Sequence, residues 1–472
     1  MEFANRRLWW AASLAACAAT ALLIYFGNGL NPRWPLMWLA PLPVLLFALR
    51  SSWWAAALVT ALAWLAGCMN LYGYFHRLGL PPAAWLGGFG LTAVVAAAAV
   101  LLFRALFRRG AVWSALLAFP AAWVTFEYIR NLLWPHGSSG CLAYSQLRFL
   151  PFLQMASLTG PWGMGFVLLL FPAGLAIAWH LRAARRRQAV RVLAVTLGTI
   201  AALLIFGAVR LARTQPGPQV RVGLAASDRN VAAPGAATRL LLESYAAAAR
   251  QLAAKGAQAV VLPEKIGIAT DSGLAASDAA LQTLADNADA TIVAGVDRES
   301  PGAAFNQARV YRRQMEIATY DKEHLLPPFE SKFTPGKALL LLHKSLSTWG
   351  VAICKDMDFT QPARKYGSAG VGLMLVPAWD FNVDRAWHGH IAIMRGVEDG
   401  FSVVRAAKNG YLTVSDNRGR ILAEVRSDSA PLATLLAEVP AGHSATLFLL
   451  LGDWFAWVAM GLLGWSLIRL WI

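Results

Sequence analysis

The chain has 472 residues, of which 57% are hydrophobic and 14% charged, too apolar for an ordinary soluble protein. Its net charge of +16 does not mark a nucleic-acid binder, because residues 219–440 hold 24 of the 42 Lys and Arg but also 23 of the 26 Asp and Glu. The other basic residues punctuate apolar stretches that carry 17 of the 20 Trp, the pattern of membrane topology signals.

A helix crosses a bilayer with about 20 mostly apolar residues. Stretches at 8–27, 34–49, 53–74, 83–107, 111–133, 163–181, 190–210 and 446–470 meet or approach that length, so about eight transmembrane helices are expected. The second is short and carries Pro41 and Pro43, which predicts a kinked or partly interfacial segment. The first follows Arg6 and Arg7 but lacks a small-residue cleavage site, so it reads as a retained span rather than a signal peptide. Twelve basic residues lie at one set of span ends and six at the other, and the loop RAARRRQAVR (182–191) makes the bias local. Positive-inside reasoning puts the richer set, with both termini, in the cytoplasm and residues 211–445 on the outer face. The four cysteines, Cys17, Cys68, Cys141 and Cys354, have no metal-ligand spacing and imply no disulfide framework. Cys17 and Cys68 lie in apolar stretches and read as buried small hydrophobes.

At Gln219 the pattern changes. Short β-branched runs alternate with helical ones: VRVGLAA, AQAVVLPE, ATIVAGV, ARVYRR, WGVAIC, VGLMLVPAW, FSVVRAA, YLTVSD and RILAEV read as strands, while ATRLLLESYAAAARQLAAKG, DAALQTLADNADA and HGHIAIMRGVEDG read as helices. The expected organisation is a membrane domain over 1–218, one α/β domain over 219–440 and a last span within 441–472. PGPQ (216–219) reads as the linker. Three chemistry-bearing residues stand just after strands: Glu264 after AVVLP, Lys322 after IATYD and Cys354 after VAI. In open α/β sheets, sites collect beyond such strand ends.

VVLPEKIG, YDKEHLLPPFESKFTPG and ICKDMDF resemble, in order, the three signature stretches of the nitrilase (carbon–nitrogen hydrolase) superfamily. The resemblance implies an αββα sandwich with Glu264, Lys322 and Cys354 as catalytic residues and Glu330 supporting the lysine. It also picks out His388, Arg395, Glu398 and Asn409 downstream. A nitrilase-like domain between seven spans and one is similar to the apolipoprotein N-acyltransferase family, as are CLAYSQ (141–146) and LTGPWGMGF (158–166), expected as loops near the outer surface. That likeness implies a multi-pass protein of the bacterial cytoplasmic membrane with its catalytic domain on the periplasmic or outer face. Its partners would be a phospholipid acyl donor, a diacylated lipoprotein acceptor and the membrane itself, with no cofactor and no metal. A membrane-bound amidase, or an acyltransferase for another amine, is the alternative that shares the same residues.

The roles follow from the chemistry. A free thiol has a pKa of about 8.5 and is a weak nucleophile at neutral pH unless a base assists it. Glu264 would be that base, Cys354 the nucleophile, and Lys322 with the backbone N–H of Lys355 the donors to the oxyanion. Where the acyltransferase family usually has Tyr and Glu after the cysteine, this chain has Lys355 and Asp356. Lys355 would favour the thiolate, bind a lipid phosphate, or simply pair with Asp356 or Asp358. In PAWDFNVDRAWHGH, the residues Trp379, Phe381, Trp387 and His388 are candidates either for substrate contact and a lid dipping into the membrane interface or for core packing.

Overall fold

The structure, a computed structural model, describes residues 6–230 and 235–472. It forms two units: one from residues up to Leu133 with Gly140–Leu211 and Leu451–Ile472, the other from Trp134–Ser139 and Ala212–Leu450.

The first unit is helical: α1 (Arg6–Gly27), α2 (Trp34–Met37), α3 (Leu42–Ala48), α4 (Trp53–Cys68), α5 (Tyr72–Arg77), α6 (Pro82–Arg108), α7 (Val112–Leu133), α8 (Leu150–Leu153), α9 (Ala156–Leu181) and α10 (Arg186–Ala212), with Trp454–Ile468 at the end of the chain. Among the described residues six helical segments are long and apolar enough to cross a membrane: Arg6–Gly27, Trp53–Arg77, Pro82–Arg108, Val112–Leu133, Ala156–Leu181 and Arg186–Ala212. The other two expected spans are shorter apolar helices. Trp34–Ala48 is broken between α2 and α3 by the Ala40–Pro41 turn, as its prolines predict. The segment LTGPWGMGF is not a surface loop. It lies inside α9, bent at Gly160 (φ +61°) before Pro161, with Trp162 buried and donating to Asp453 Oδ1 at 2.6 Å. CLAYSQ is likewise buried, a short 3₁₀ turn whose Gln146 accepts from Trp38 Nε1 at 2.8 Å. All four cysteines are free thiols, and Cys17 and Cys68 are only partly buried.

The second unit follows as β1 (Gln219–Ala226), α11 (Ala236–Ala254), β2 (Ala259–Val261), β3 (Ile268–Thr270), α12 (Asp271–Ala288), β4 (Thr291–Ser300), β5 (Ala303–Tyr311), β6 (Ala318–Asp321), β7 (Leu340–His343), β8 (Thr348–Val351), α13 (Thr360–Ser368), β9 (Val371–Trp379), α14 (Trp387–Asp399), β10 (Ser402–Lys408), β11 (Tyr411–Ser415), β12 (Ile421–Arg426) and β13 (Ala433–Pro440). Two sheets form. One runs β13-β1-β2-β4-β5-β6 with β3 beside β4, the other β12-β11-β10-β9-β8-β7. β1, β2 and β4 are parallel neighbours, as are β8, β9 and β10. β9 and β10 read as nearly unbroken apolar runs because both faces are covered. Val222, Val261 and Val293 of the first sheet share one core with Leu373, Leu375 and Val404 of the second. On the outer faces, α11 packs Tyr245 and Leu252 beside Val260 and Ile292, and α13 with α14 packs Tyr366 and Ala392 beside Met374 and Val376. The layers are therefore αββα. α11 forms because Leu241, Leu242, Tyr245, Ala249 and Leu252 recur on one buried face, and Gly256 at φ +87° takes the chain out of it.

Candidate active site

Glu264 lies just past β2, whose continuation crosses between the sheets: Glu264 N donates to Ala378 O of β9 at 3.2 Å. Gly295 of β4 is required beside it, since a Cβ there would stand 2.6 Å from Glu264 Cα and from Pro263 O. Lys322 follows β6 and is held by its backbone N–H to Asn306 O at 2.9 Å. Its Nζ reaches Glu264 Oε1 at 2.8 Å and Glu330 Oε2 at 2.9 Å. Asn306 Nδ2 joins the same two carboxylates, at 2.5 Å to Glu264 and 2.8 Å to Glu330, and Lys265 also pairs with Glu330. Glu264, Lys322 and Glu330 are all 2–3% exposed.

Such a cluster persists only if its charges balance, because an unpaired buried charge costs several kcal/mol. Burial works against the Lys322 ammonium, yet Glu264 and Glu330 outweigh it and raise its pKa above the ordinary value. Burial also opposes the charge on Glu330, yet Lys322 and Lys265 outweigh it and hold its pKa at about 2. Both groups are ionised at neutral pH.

Cys354 ends the strand-like run after β8 and opens a 3₁₀ turn, Cys354–Asp358. Its φ is +42°, a left-handed conformation that is costly for a residue with a Cβ and is met where surrounding structure enforces it. Asp356 braces the turn from one side chain. Its fully buried carboxylate accepts from Ile353 N at 3.0 Å, His324 N at 2.7 Å and Tyr320 OH at 2.8 Å. The Cys354 thiol donates toward Trp379 O at 3.5 Å and lies within electrostatic reach of Glu264 and Lys322. Burial pushes this thiol well above its ordinary pKa, Glu264 adds to the rise, and Lys322 and Arg405 pull the other way. The resting sulfur is protonated and needs a base to become a nucleophile.

Sequence reasoning missed the pair beneath the sulfur. Arg405 of β10 and Asp380, both buried, form a two-fold bond at 2.6 and 2.8 Å, and Arg405 Nη2 approaches Sγ at 3.9 Å. The signal was an arginine inside a strand otherwise apolar, FSVVRAA, which requires a buried partner. Lys408 was missed as well. Its Nζ stands 3.6 Å over the Trp379 ring and donates to Lys265 O at 2.8 Å, and burial lowers its pKa to about 7.

The other residues singled out in the sequence have varied surroundings. Lys355 pairs with neither Asp356 nor Asp358: its Nζ, almost fully buried, donates to Pro135 O at 2.6 Å and Leu325 O at 2.8 Å, which leaves it poorly placed to bind a lipid phosphate. Trp387 is buried with its indole donating to Ser139 Oγ at 3.2 Å. His388 bridges Asp358 at 3.0 Å and Asp384 at 3.5 Å. Burial opposes its charge, but Asp358 and Asp384 raise its pKa well above the ordinary value. These bonds tie both side chains to their neighbours within the unit. Phe381, half-buried, has its ring 5.9 Å from that of exposed Phe329, and half-buried Trp379 lies against Lys408 and the thiol. Arg395 and Glu398 form a buried ion pair at 2.9 Å within α14, and Asn409 (φ +53°) turns the chain after β10. No cluster of metal ligands occurs among the described residues.

Residues 20–174 match the profile of the apolipoprotein N-acyltransferase N-terminal domain, and residues 224–446 match that of carbon-nitrogen hydrolase. An apolipoprotein N-acyltransferase of Geobacter metallireducens is 27% identical over 493 residues, covering 90% of this chain and 89% of its own. One from Vibrio parahaemolyticus is 24% identical and covers 99% of this chain and 95% of its own. Among solved structures, an amidase from Nesterenkonia superposes with a TM-score of 0.42 at 22% identity, over 48% of this chain and 92% of its own. The two matched domains, in this order on one chain and flanked by apolar helices, place it in the apolipoprotein N-acyltransferase family, a membrane-embedded branch of the carbon–nitrogen hydrolases.

Proposed function

We propose that the chain moves a fatty acyl group from a phospholipid, through a thioester on Cys354, to the α-amine of the N-terminal diacylglyceryl-cysteine of a lipoprotein. The observation that carries this reading is the convergence of a buried carboxylate, a buried ammonium and a buried thiol beyond the ends of strands from two facing sheets.

Among the described residues both bonds to the Glu264 carboxylate fall on Oε1, from Lys322 and Asn306, so Oε2 is assigned the thiol proton. As Glu264 takes it, the sulfur bonds to the ester carbonyl carbon and the carbonyl electron pair moves to oxygen. Lys322 and the Lys355 N–H receive that oxyanion. The C–O bond then breaks, Glu264 returns the proton to the departing lysophospholipid, and a thioester remains. In the second half Glu264 deprotonates the incoming amine, the amine bonds to the thioester carbon, and the C–S bond breaks with the proton returning to sulfur. Burial of Glu264, Lys322 and Cys354 supports aminolysis over hydrolysis, because little water reaches the thioester. With Cys354 only 7% exposed, an acyl chain enters after a covering segment moves. Phe381 and its neighbour Phe329 are the aromatic residues assigned to that segment.

The test is product partition. Given phospholipid and a diacylated lipopeptide with a free N-terminal amine, the protein should form the amide with ping-pong kinetics. Free fatty acid released at the same rate with or without the peptide would instead indicate an amidase-like hydrolase.

A further inference from the structure

The loop Trp134–Ser139, sequence WPHGSS, follows α7 directly in the chain but folds as part of the catalytic unit. It is fastened to the 3₁₀ turn that opens at Cys354. Ser138 donates to Asp358 O twice, from its N–H at 3.3 Å and its hydroxyl at 2.9 Å. Gly137, at φ +53°, lies so close that a Cβ would stand 2.9 Å from both Asp358 O and the Phe359 ring. Only glycine permits that approach in that conformation. Ser139 accepts from Trp387 at the start of α14.

The side chain next to the sulfur completes the attachment. Lys355 Nζ donates to Pro135 O in the loop and to Leu325 O in the segment between Lys322 and Glu330. One ammonium therefore bridges the turn of the thiol, the segment that follows the oxyanion lysine, and the loop. An ammonium is the group for this, because it donates in three directions and accepts nothing. His136 beside it is held neutral at neutral pH, since burial first and the Lys355 charge second lower its pKa to about 4, while burial lowers the pKa of Lys355 itself to about 8.

We propose that Lys355 is a positioning residue for acyl transfer, latching the loop Trp134–Ser139 onto the turn and holding Cys354 in its left-handed conformation opposite Lys322. The proposal rests on reading Cys354 as the nucleophile. It acts through backbone carbonyls, so it concerns the rate of the chemical step and not recognition of the lipid.

The experiment compares wild type with Lys355→Met, which keeps the length and removes the donors, and Gly137→Ala, which pushes the loop off the turn without changing a charge. Three quantities are measured on the full chain in detergent: amide hydrogen exchange of peptides over 134–140 and 351–360, the rate of acyl-adduct formation on the protein with phospholipid, and the thermal midpoint. Both variants are expected to exchange about tenfold faster in both peptides and to form the adduct about tenfold more slowly. The phospholipid concentration at half-maximal rate should change less than threefold, and the double variant should be no slower than the slower single one. Unchanged exchange over 351–360 in both variants would overturn the latch, as would a Lys355→Met protein whose half-maximal concentration rises at unchanged maximal rate. If Lys355→Met does not fold, Gly137→Ala alone decides by the same readings. A wild-type protein that gains no adduct ends the nucleophile reading, while the exchange comparison still decides whether the loop is latched.

Discussion

At the scale of single residues, the site is a balance of buried charges around a neutral thiol. Because the Cys354 pKa is raised by burial and by Glu264, alkylation of Cys354 by iodoacetamide without substrate should be slow at pH 8. It should keep increasing above pH 9 instead of levelling there, as followed by mass spectrometry of the peptide containing Cys354. A plateau near pH 7 would mean a preformed thiolate and remove the need for Glu264 as base. Replacement of Glu264 by Gln should lower the rate of adduct formation by about 10²–10⁴-fold, the contribution of a positioned proton acceptor. Asp356 supports the turn rather than the chemistry. Asp356→Ala would orphan three donors and should cost about 3 kcal/mol, read as a lowered denaturation midpoint. Glu264, Lys322, Glu330 and Cys354 were legible because each sits in a short stretch with its own spacing. Asn306, Asp380 and Arg405 were not, because they lie within or beside strands where only three-dimensional neighbours reveal what a polar side chain is for.

At the scale of elements, the strands carrying the site were legible from β-branched runs, and α11, α12 and α14 from their periodicity. β3, β7, β13 and α13 were not. β3 is three residues and β7 four, too short for alternation to emerge, and β13 earns its place by pairing with β1 over eight residues far away in the chain. LTGPWGMGF was expected as a loop from its likeness to the family, but tertiary packing around Trp162 keeps both sides of the bend in α9 helical. Element spacing also positions Glu264. Gly295→Ala would drive a methyl group into the Glu264 backbone, and the expected result is a fold destabilised by about 1–3 kcal/mol with adduct formation slowed at least tenfold. Wild-type rates in that variant would show that Glu264 tolerates displacement.

At the scale of the whole molecule, composition revealed where apolar helices give way to an α/β unit near residue 219. It did not reveal that Trp134–Ser139 belongs to the latter, since six residues between helices carry no compositional signal. The charge cluster gives the catalytic unit an acid limit. The Glu330 pKa is lowered from its unfolded value, so its contribution to stability is complete above about pH 4.5 and is lost as pH falls toward about 2. Glu330→Gln should flatten that acid limb in thermal unfolding; an unchanged slope would assign it to other carboxylates. The proposed orientation has its own check. Among single-cysteine variants, an impermeant maleimide added to intact spheroplasts should label Ser429→Cys and not Arg185→Cys, both positions being exposed. The opposite labelling would invert the topology.

The central claim is that Cys354 carries the acyl group between two lipids. Intact-protein mass spectrometry after incubation with a phospholipid of defined chains tests it most directly. The account predicts a gain of one acyl mass, mapped to Cys354 and absent in Cys354→Ala, that disappears when a diacylated lipopeptide is added and reappears as an amide on that peptide. An adduct on another residue, or no adduct while the peptide is still acylated, would contradict it.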